Sequence, residues 1–259
     1  MNIELTVALP IWRGNDIAWL AMEGLCRQDR TLFDWELMIC EEGIGNPLGK
    51  QFFADYLPRL RNCGCSKLSY ISLDRWLPLS QKWRLMGQRM AKSSNVFLLQ
   101  AADCYSFKER LNESYQRIVD EGNTWYDVGH GYFYSLASGR MILFQQASQT
   151  HSQLAMALSA DCARTIPNVA LRRNIDNFLL QHCMRTVAAS FCRHVDMAEY
   201  AGVDTNGYNN ISITREDYFE RPRRPFAPTD KKLKDIGLPD DITQHLHELT
   251  MKTAAEEGA

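Results

Sequence analysis

Three groups of side chains with binding chemistry recur within the first 103 residues, each at the end of an apolar run. Pro10-Ile11-Trp12-Arg13-Gly14 offers an indole and a guanidinium, Glu41-Glu42-Gly43 a pair of carboxylates, and Gln100-Ala101-Ala102-Asp103 an amide and a carboxylate. A carboxylate in such a place accepts hydrogen bonds from a base or ribose, or holds a metal ion that in turn holds phosphates. A guanidinium matches phosphate oxygens. Each group taken singly also reads as a solvated loop end. For Glu41 both readings stand, nucleoside recognition and loop acid, as do stacking platform and core residue for Trp12. Three groups in register point to a nucleotide crevice, because open parallel sheets bind ligands beyond the carboxyl ends of their strands.

Other chemistries are excluded by spacing. Gly43-Ile44-Gly45-Asn46-Pro47-Leu48-Gly49 superficially matches a dinucleotide fingerprint, but its third glycine comes one residue late and it follows the second strand, not the first. Two glutamates before it would also repel a pyrophosphate. The chain has no Gly-x-x-x-x-Gly-Lys-Ser/Thr and no Gly-x-Ser-x-Gly. Cys63-Gly64-Cys65 lacks the second pair that a zinc site needs, and the six histidines form no ligand pair on one helix face.

The elements that position these groups follow from periodicity. Strands are expected at 3–10, 35–40, 68–73 and 96–99, and helices at about 16–28, 46–61, 80–91 and 107–119. Strand and helix alternating in this way imply βαβ units and a mostly parallel sheet flanked by helices. Beyond residue 120 the pattern predicts a hairpin of 131–134 with 141–144, helices at 152–160 and 174–187, and a final surface helix at 241–255.

Composition sets the class. The chain has 259 residues, 45% hydrophobic and 23% charged, with a net charge of −2. That is globular rather than disordered, and it argues against nucleic-acid binding by bulk charge. No apolar run approaches a membrane span, and the first residues do not read as a secretory signal. Eight scattered cysteines suit a reducing compartment, so a cytoplasmic location is expected.

The order of these elements resembles the GT-A fold glycosyltransferases, most closely the family 2-like inverting enzymes. Val7-Ala8-Leu9-Pro10-Ile11-Trp12-Arg13 is similar to their first strand and polar loop, and Glu23-Gly24-Leu25-Cys26-Arg27-Gln28 to the phrase that ends their first helix. Cys40-Glu41-Glu42-Gly43 resembles the acidic pair that reads the base, and Lys82, Gly87 and Ala91 match the helix before the fourth strand. Ser152 to Ala157 and Arg172 to Asn177 fall where the acceptor segment and the acidic base motif are expected. Asn206-Gly207-Tyr208-Asn209-Asn210-Ile211-Ser212 is similar to a Gly-Asn-Asn-Ile-Ser loop of some members.

The resemblance covers about residues 3–215 and implies a nucleotide-sugar half over about 1–105 and an acceptor half over about 106–215. Residues 216–259 are left as a basic linker and a C-terminal helix. It implies transfer of a sugar from a nucleoside-diphosphate sugar to an acceptor hydroxyl by an inverting displacement. Asp176 is then the base, the competing reading being a first-turn aspartate favoured by the helix dipole. Pro10, Trp12, Arg13, Glu41, Lys82, Ala102 and Asp103 fall on the donor side, and Asn177, Asn209, Asn210, Arg223 and Arg224 on the acceptor side. The family's Asp-x-Asp metal motif aligns with Gln100 and Ala102, leaving Asp103. Either Asp103, with Asp204, holds Mn or Mg, or cations such as Lys82 or Arg13 neutralise the diphosphate.

Acceptor chemistry is open among a glycan, a small molecule and modified DNA. Stand-alone family members occur in bacteriophages, some of which glycosylate modified bases in DNA. Residues 221–234 carry Arg221, Arg223, Arg224, Lys231, Lys232 and Lys234 against Asp230, either as an arm for an anionic polymer or as a solvated linker. A third reading, from another class, is a nucleotide-sugar-binding protein without transfer activity.

Overall fold

The computed structural model describes residues 2–12, 17–128, 130–145, 156–171, 175–186, 191–194, 200–204, 221 and 226–257. The order begins β1 (Ile3–Ile11), α1 (Ala18–Cys26), β2 (Asp34–Glu42), α2 (Gly49–Ala54), α3 (Leu57–Asn62), β3 (Cys65–Leu73), α4 (Leu79–Arg89) and β4 (Val96–Leu99). It continues with β5 (Cys104–Ser106), α5 (Arg110–Tyr115) and its π-helical extension Gln116–Asp120, β6 (Trp125–Val128), β7 (His130–Ser135), β8 (Met141–Gln145) and β9 (Met156–Ser159). Then come α6 (Ala160–Arg164), α7 (Ile175–Thr186), β10 (Phe191–His194), β11 (Tyr200–Asp204), β12 (Phe226–Pro228) and α8 (Asp240–Glu257).

Two sheets organise these elements. The seven-stranded sheet runs β10-β6-β9-β4-β1-β2-β3, and the five-stranded sheet β12-β8-β7-β11-β5. In the larger sheet β3, β2, β1 and β4 are parallel. β9 runs antiparallel to both β4 and β6, and β10 runs parallel to β6. The alternation of strands and helices in the first hundred residues therefore produces the expected parallel core.

β1 and β2 are buried almost throughout because helices cover both faces of the sheet. Leu5, Val7, Leu9 and Ile11 turn to one face and pack with Ala18, Ala21, Met22 and Leu25 of α1. Ala8 turns to the other with Met38, Cys40, Trp83, Met86, Leu179 and Cys183, which brings α4, α6 and α7 onto that face. Two glycines set close approaches. A Cβ on Gly24 would lie 2.6 Å from the Ser106 backbone nitrogen, and one on Gly87 2.3 Å from the Ala163 carbonyl oxygen. Those contacts seat α1 on β5 and α4 on α6.

Two expectations change. Residues 152–160 were expected to be helical, yet Met156–Ser159 is a strand and 152–155 lie outside the described residues. Met156, Ala157 and Leu158 are buried between β4 and β6, so two ladders of long-range hydrogen bonds override the local helical pattern. The expected helix over 46–61 is two short helices, α2 and α3.

The described part of the C-terminal segment is built into the fold. β12 pairs antiparallel with β8. Leu233, Leu238, Ile242 and Leu246 pack with Ile17, Leu20, Tyr105, Tyr132 and Tyr134. Arg27, at the C-terminal cap of α1, is paired with Asp241 of α8, and the Trp19 ring stands edge-on to His245 at 4.5 Å. Among the described residues no helix is long and apolar enough to cross a membrane.

Candidate functional site

The strand order locates the crevice. From β1 the chain steps outward to β2 and β3, then returns to place β4 on the other side of β1. That reversal between β1 and β4 is a topological switch point, where the carboxyl ends of adjacent strands diverge and leave a ligand cleft. Trp12 follows β1 there, and Gln100–Asp103 follows β4.

Pro10 fits this end of β1 for a backbone reason. The Ala8 carbonyl accepts from Gln100 N–H on the β4 side at 2.9 Å, and Pro10, two residues on, faces the same side. The β1–β4 ladder ends at Ala8–Leu99, so the missing Pro10 N–H interrupts no pairing.

Lys82 stitches the strand ends together. It is 2% exposed on α4, and its Nζ donates to the Ile11 carbonyl at 2.7 Å and pairs with Glu42 Oε1 at 2.8 Å. Leu77 N–H also donates to Glu42 Oε1, at 3.3 Å. Glu42 is fully buried, and its other oxygen, Oε2, has no hydrogen-bond partner. A buried carboxylate oxygen without a donor costs about 1–3 kcal/mol or more, so this atom marks a place where a donor from outside the chain would be stabilising.

Glu41 behaves differently. Its Oε1 accepts from Leu48 N–H at 2.8 Å, and its Oε2 from Gly49 N–H at 2.9 Å and the Tyr70 hydroxyl at 2.6 Å. Burial, reinforced by the bond to Glu41, pushes the Tyr70 phenol up from its ordinary pKa. The Glu41 carboxylate thus folds the 43–48 loop back onto the start of α2. The sequence points to Glu41 for recognition of the base or ribose, and the geometry leaves a spare acceptor on its neighbour Glu42. The available signal was the acidic pair itself.

At the end of β4, Gln100 is fully buried and its amide is engaged at both ends. Nε2 donates to the Ala101 and Cys104 carbonyls at 2.9 and 2.8 Å. Oε1 accepts from Ser106 Oγ and Arg110 Nη1, both at 2.7 Å. Arg110, 2% exposed, also donates to Ser106 Oγ at 2.5 Å and to the Leu99 carbonyl at 2.6 Å. Ala102 is buried and contributes no ligand atom. Asp103 Oδ1 accepts from the Cys104 thiol at 3.5 Å, and burial, with Asp103 next, pushes that thiol far up.

β11 reaches the same turn. It pairs antiparallel with β5 through Gly202–Cys104, so its last residue, Asp204, stands on the strand beside the Ala101–Asp103 turn. Among the described residues no three His, Cys, Asp or Glu side chains are grouped to hold a metal ion. At this turn the described side chains offer the Asp103 carboxylate, and the side chain of Asp204 lies outside the described residues.

On the acceptor side, Ser80 Oγ donates to the Val169 carbonyl at 2.6 Å and accepts from Leu171 N–H at 2.9 Å. This returns the chain to the start of α4, at the carboxyl side of the parallel strands, shortly before α7. Asp176 lies in the first turn of α7 and the exposed Asn177 follows it. Arg13, Asn209, Asn210, Arg223 and Arg224 lie outside the described residues. The structure brings together Pro10, Trp12, Lys82, Ala102 and Asp103 around the switch point, with Glu41 turned to the 43–48 loop.

No protein-family model matches the chain, and no curated protein matches its sequence. Solved structures do match. TarS 1–349 from S. aureus in complex with UDP-GlcNAc matches with a TM-score of 0.63 at 12% identity, over 98% of this chain and 73% of that one. The S. aureus TarS crystal structure matches with a TM-score of 0.60 at 13% identity, over 78% of this chain. The mannosyltransferase PcManGT from Pyrobaculum calidifontis, in complex with GDP-Man and Mn2+, matches with a TM-score of 0.57 at 7% identity, over 82% of this chain. The matched region spans 37% of the TarS chain and 59% of the PcManGT chain. The chain has the mixed α/β fold of the GT-A-like glycosyltransferases.

Proposed function

We propose that this protein transfers a sugar from a nucleoside-diphosphate sugar to an acceptor hydroxyl. The observation that carries the proposal is Glu42, a buried carboxylate with one oxygen unpartnered, paired to Lys82 beside the switch point of a GT-A-type sheet. Its Oε2 accepts a hydrogen bond from an N–H of the base or an O–H of the ribose. Lys82, held by Glu42 and Ile11, keeps the ends of β1 and β2 in register under the nucleotide. Trp12 supplies an aromatic wall, and Arg13 meets the diphosphate.

In the proposed step Asp176 accepts the proton of the acceptor hydroxyl as that oxygen attacks the anomeric carbon. A new carbon–oxygen bond forms on one face of the sugar, and the bond to the diphosphate breaks on the other. The outcome is inversion, and the charge that develops on the leaving diphosphate is met by fixed cations of the site. Asn177, Asn209 and Asn210 are assigned to the acceptor side.

The test is turnover of nucleotide sugars by the full chain. The proposal expects slow hydrolysis of at least one donor without acceptor, lost in Asp176→Asn, while donor binding survives in that variant. A second reading, nucleotide-sugar binding without transfer, is favoured by the alanine at position 102 where the family resemblance places a carboxylate. It predicts donor binding with no turnover by any acceptor. Modified DNA as acceptor predicts duplex binding that weakens with salt and in the Arg223→Gln/Arg224→Gln double variant.

A further inference from the structure

We propose that Cys162 and Cys183 are a redox pair, which an oxidant of the peroxide class closes into a disulfide that clamps α6 to α7. The pairing rests on packing and thiol chemistry and is independent of the nucleotide-sugar reading above.

The last turn of α7 is fixed against α6 by contacts of its own. His182 Nε2 meets the Cys162 carbonyl at 3.0 Å and the Thr165 hydroxyl at 3.3 Å. The next residue, Cys183, is buried with Leu179, four residues earlier, and both lie in one apolar cluster with Cys162 and Ala163. Cys162 and Cys183 are each 0% exposed, and their side chains are hydrogen-bonded to each other. Sulfur therefore faces sulfur across the helix pair.

Other described thiols are held differently. Cys63 Sγ donates to the Cys26 carbonyl at 3.2 Å and Cys65 Sγ to the Lys67 carbonyl at 3.4 Å. Cys26 Sγ donates to the Tyr56 carbonyl at 4.0 Å and Cys104 Sγ to Asp103 Oδ1 at 3.5 Å. Such acceptors favour the neutral thiol. Burial pushes the thiols of Cys26, Cys40, Cys63, Cys65 and Cys104 up as well. The bond from Cys183 instead holds the Cys162 thiol below its ordinary value, while the same bond and burial push Cys183 up. Cys162 is thus the nucleophile and Cys183 the resolving thiol beside it.

The chemistry closes in two steps. The Cys162 thiolate attacks one oxygen of hydrogen peroxide, a sulfur–oxygen bond forms, and the oxygen–oxygen bond breaks to release hydroxide. The Cys183 sulfur then attacks the Cys162 sulfur, the sulfur–sulfur bond forms, and hydroxide leaves. Both hydroxides take up the thiol protons, so two thiols lose two electrons and the peroxide becomes two waters. Cys183 lies in the last turn of α7 beside Met184, which is 50% exposed, so local opening of that turn admits a small oxidant. The bond ties α7, which carries Asp176, to α6, itself seated on α4 by the Gly87–Ala163 approach.

The experiment treats the reduced full chain with hydrogen peroxide, blocks remaining thiols, and maps disulfides by mass spectrometry of peptides without reduction. The expected result is a Cys162–Cys183 cross-link as the main disulfide, reversed by dithiothreitol. The melting temperature of the cross-linked protein should rise by about 5 °C or more, because the bond restricts the unfolded chain. A main disulfide elsewhere overturns the proposal, including one from Cys183 to Cys192, whose side chain lies outside the described residues. So does oxidation of Cys162 to sulfinic acid without a cross-link, or no cross-link under conditions that oxidise the same chain in urea. A cross-link with an unchanged or lower melting temperature contradicts the clamp. Cys162→Ser should lose both the cross-link and the peroxide-induced rise, and retention of that rise also contradicts the clamp. Should that variant fail to fold, the wild-type map decides.

Discussion

Two glutamates on one strand, Glu36 and Glu42, are equally inaccessible to solvent and face the same side of β2, yet they end in opposite states. At the amino end of the sheet, Glu36 Oε1 accepts from the Thr6 hydroxyl at 2.9 Å and Ala91 N–H at 2.8 Å. Its Oε2 accepts from Lys67 Nζ at 2.8 Å and Ser69 Oγ at 3.4 Å. At the carboxyl end, Glu42 has Lys82 and Leu77 N–H on one oxygen and nothing on the other. The first is a closed network that ties β1, β2, β3 and the end of α4. The second is an open one. Burial alone therefore does not separate a saturated acid from one with an acceptor to spare, whereas the count of satisfied lone pairs does.

The comparison can be broken in several ways, taken from the largest expected effect downward. Lys82→Met strips the only described cation from Glu42 and leaves a buried carboxylate uncompensated, so it should cost about 3–5 kcal/mol of unfolding free energy. Chemical denaturation measures this, and a loss below about 1 kcal/mol would mean that the pair is hydrated rather than buried. Glu36→Ala leaves Ala91 N–H without its acceptor and Lys67 without its carboxylate and should cost about 2–4 kcal/mol, with nucleotide affinity per folded molecule unchanged. Reduced affinity in that variant would erase the distinction between the two ends of the strand.

Glu42→Gln keeps the shape and an acceptor for Lys82 but loses the charged oxygen. Donor affinity should drop by about tenfold or more by calorimetry, with a smaller stability loss than Glu36→Ala. The smallest effect concerns the α1 surface. The Arg59 guanidinium, donating to both oxygens of Glu23, and secondarily Arg27 hold that carboxyl below its ordinary value of 4.5. Because the folded value is the depressed one, this stability is present above the unfolded value and lost as pH falls through the folded value. The melting-temperature difference between wild type and Glu23→Gln should therefore be small at neutral pH, under about 1 kcal/mol equivalent, and vanish in acid. A difference that grows on acidification would contradict the assignment.

Much of this architecture was legible in the sequence, and the illegible parts have physical causes. The alternation of apolar runs and helical spacing up to residue 99 gives the parallel core, and the polar groups at the run ends, with Lys82, mark the crevice. That Glu41 is held by Leu48, Gly49 and Tyr70 while Glu42 keeps one open oxygen was not legible because β2 is buried on both faces, so period-two alternation carries no inside-or-outside signal there. Met156–Ser159 was hidden for another reason, since its strand state depends on partners some thirty to sixty residues away. Gln100 read as a missing metal ligand, while its place in a brace with Arg110, ten residues on, emerges only when β5 and α5 fold beneath the turn.

The most direct test of the central claim is a calorimetric titration of the full chain and of Glu42→Gln with UDP-GlcNAc and GDP-mannose. The account predicts saturable binding of at least one of them to the wild type and a loss of about tenfold or more in the variant. Absence of binding to the wild type, or equal binding by both proteins, would contradict it.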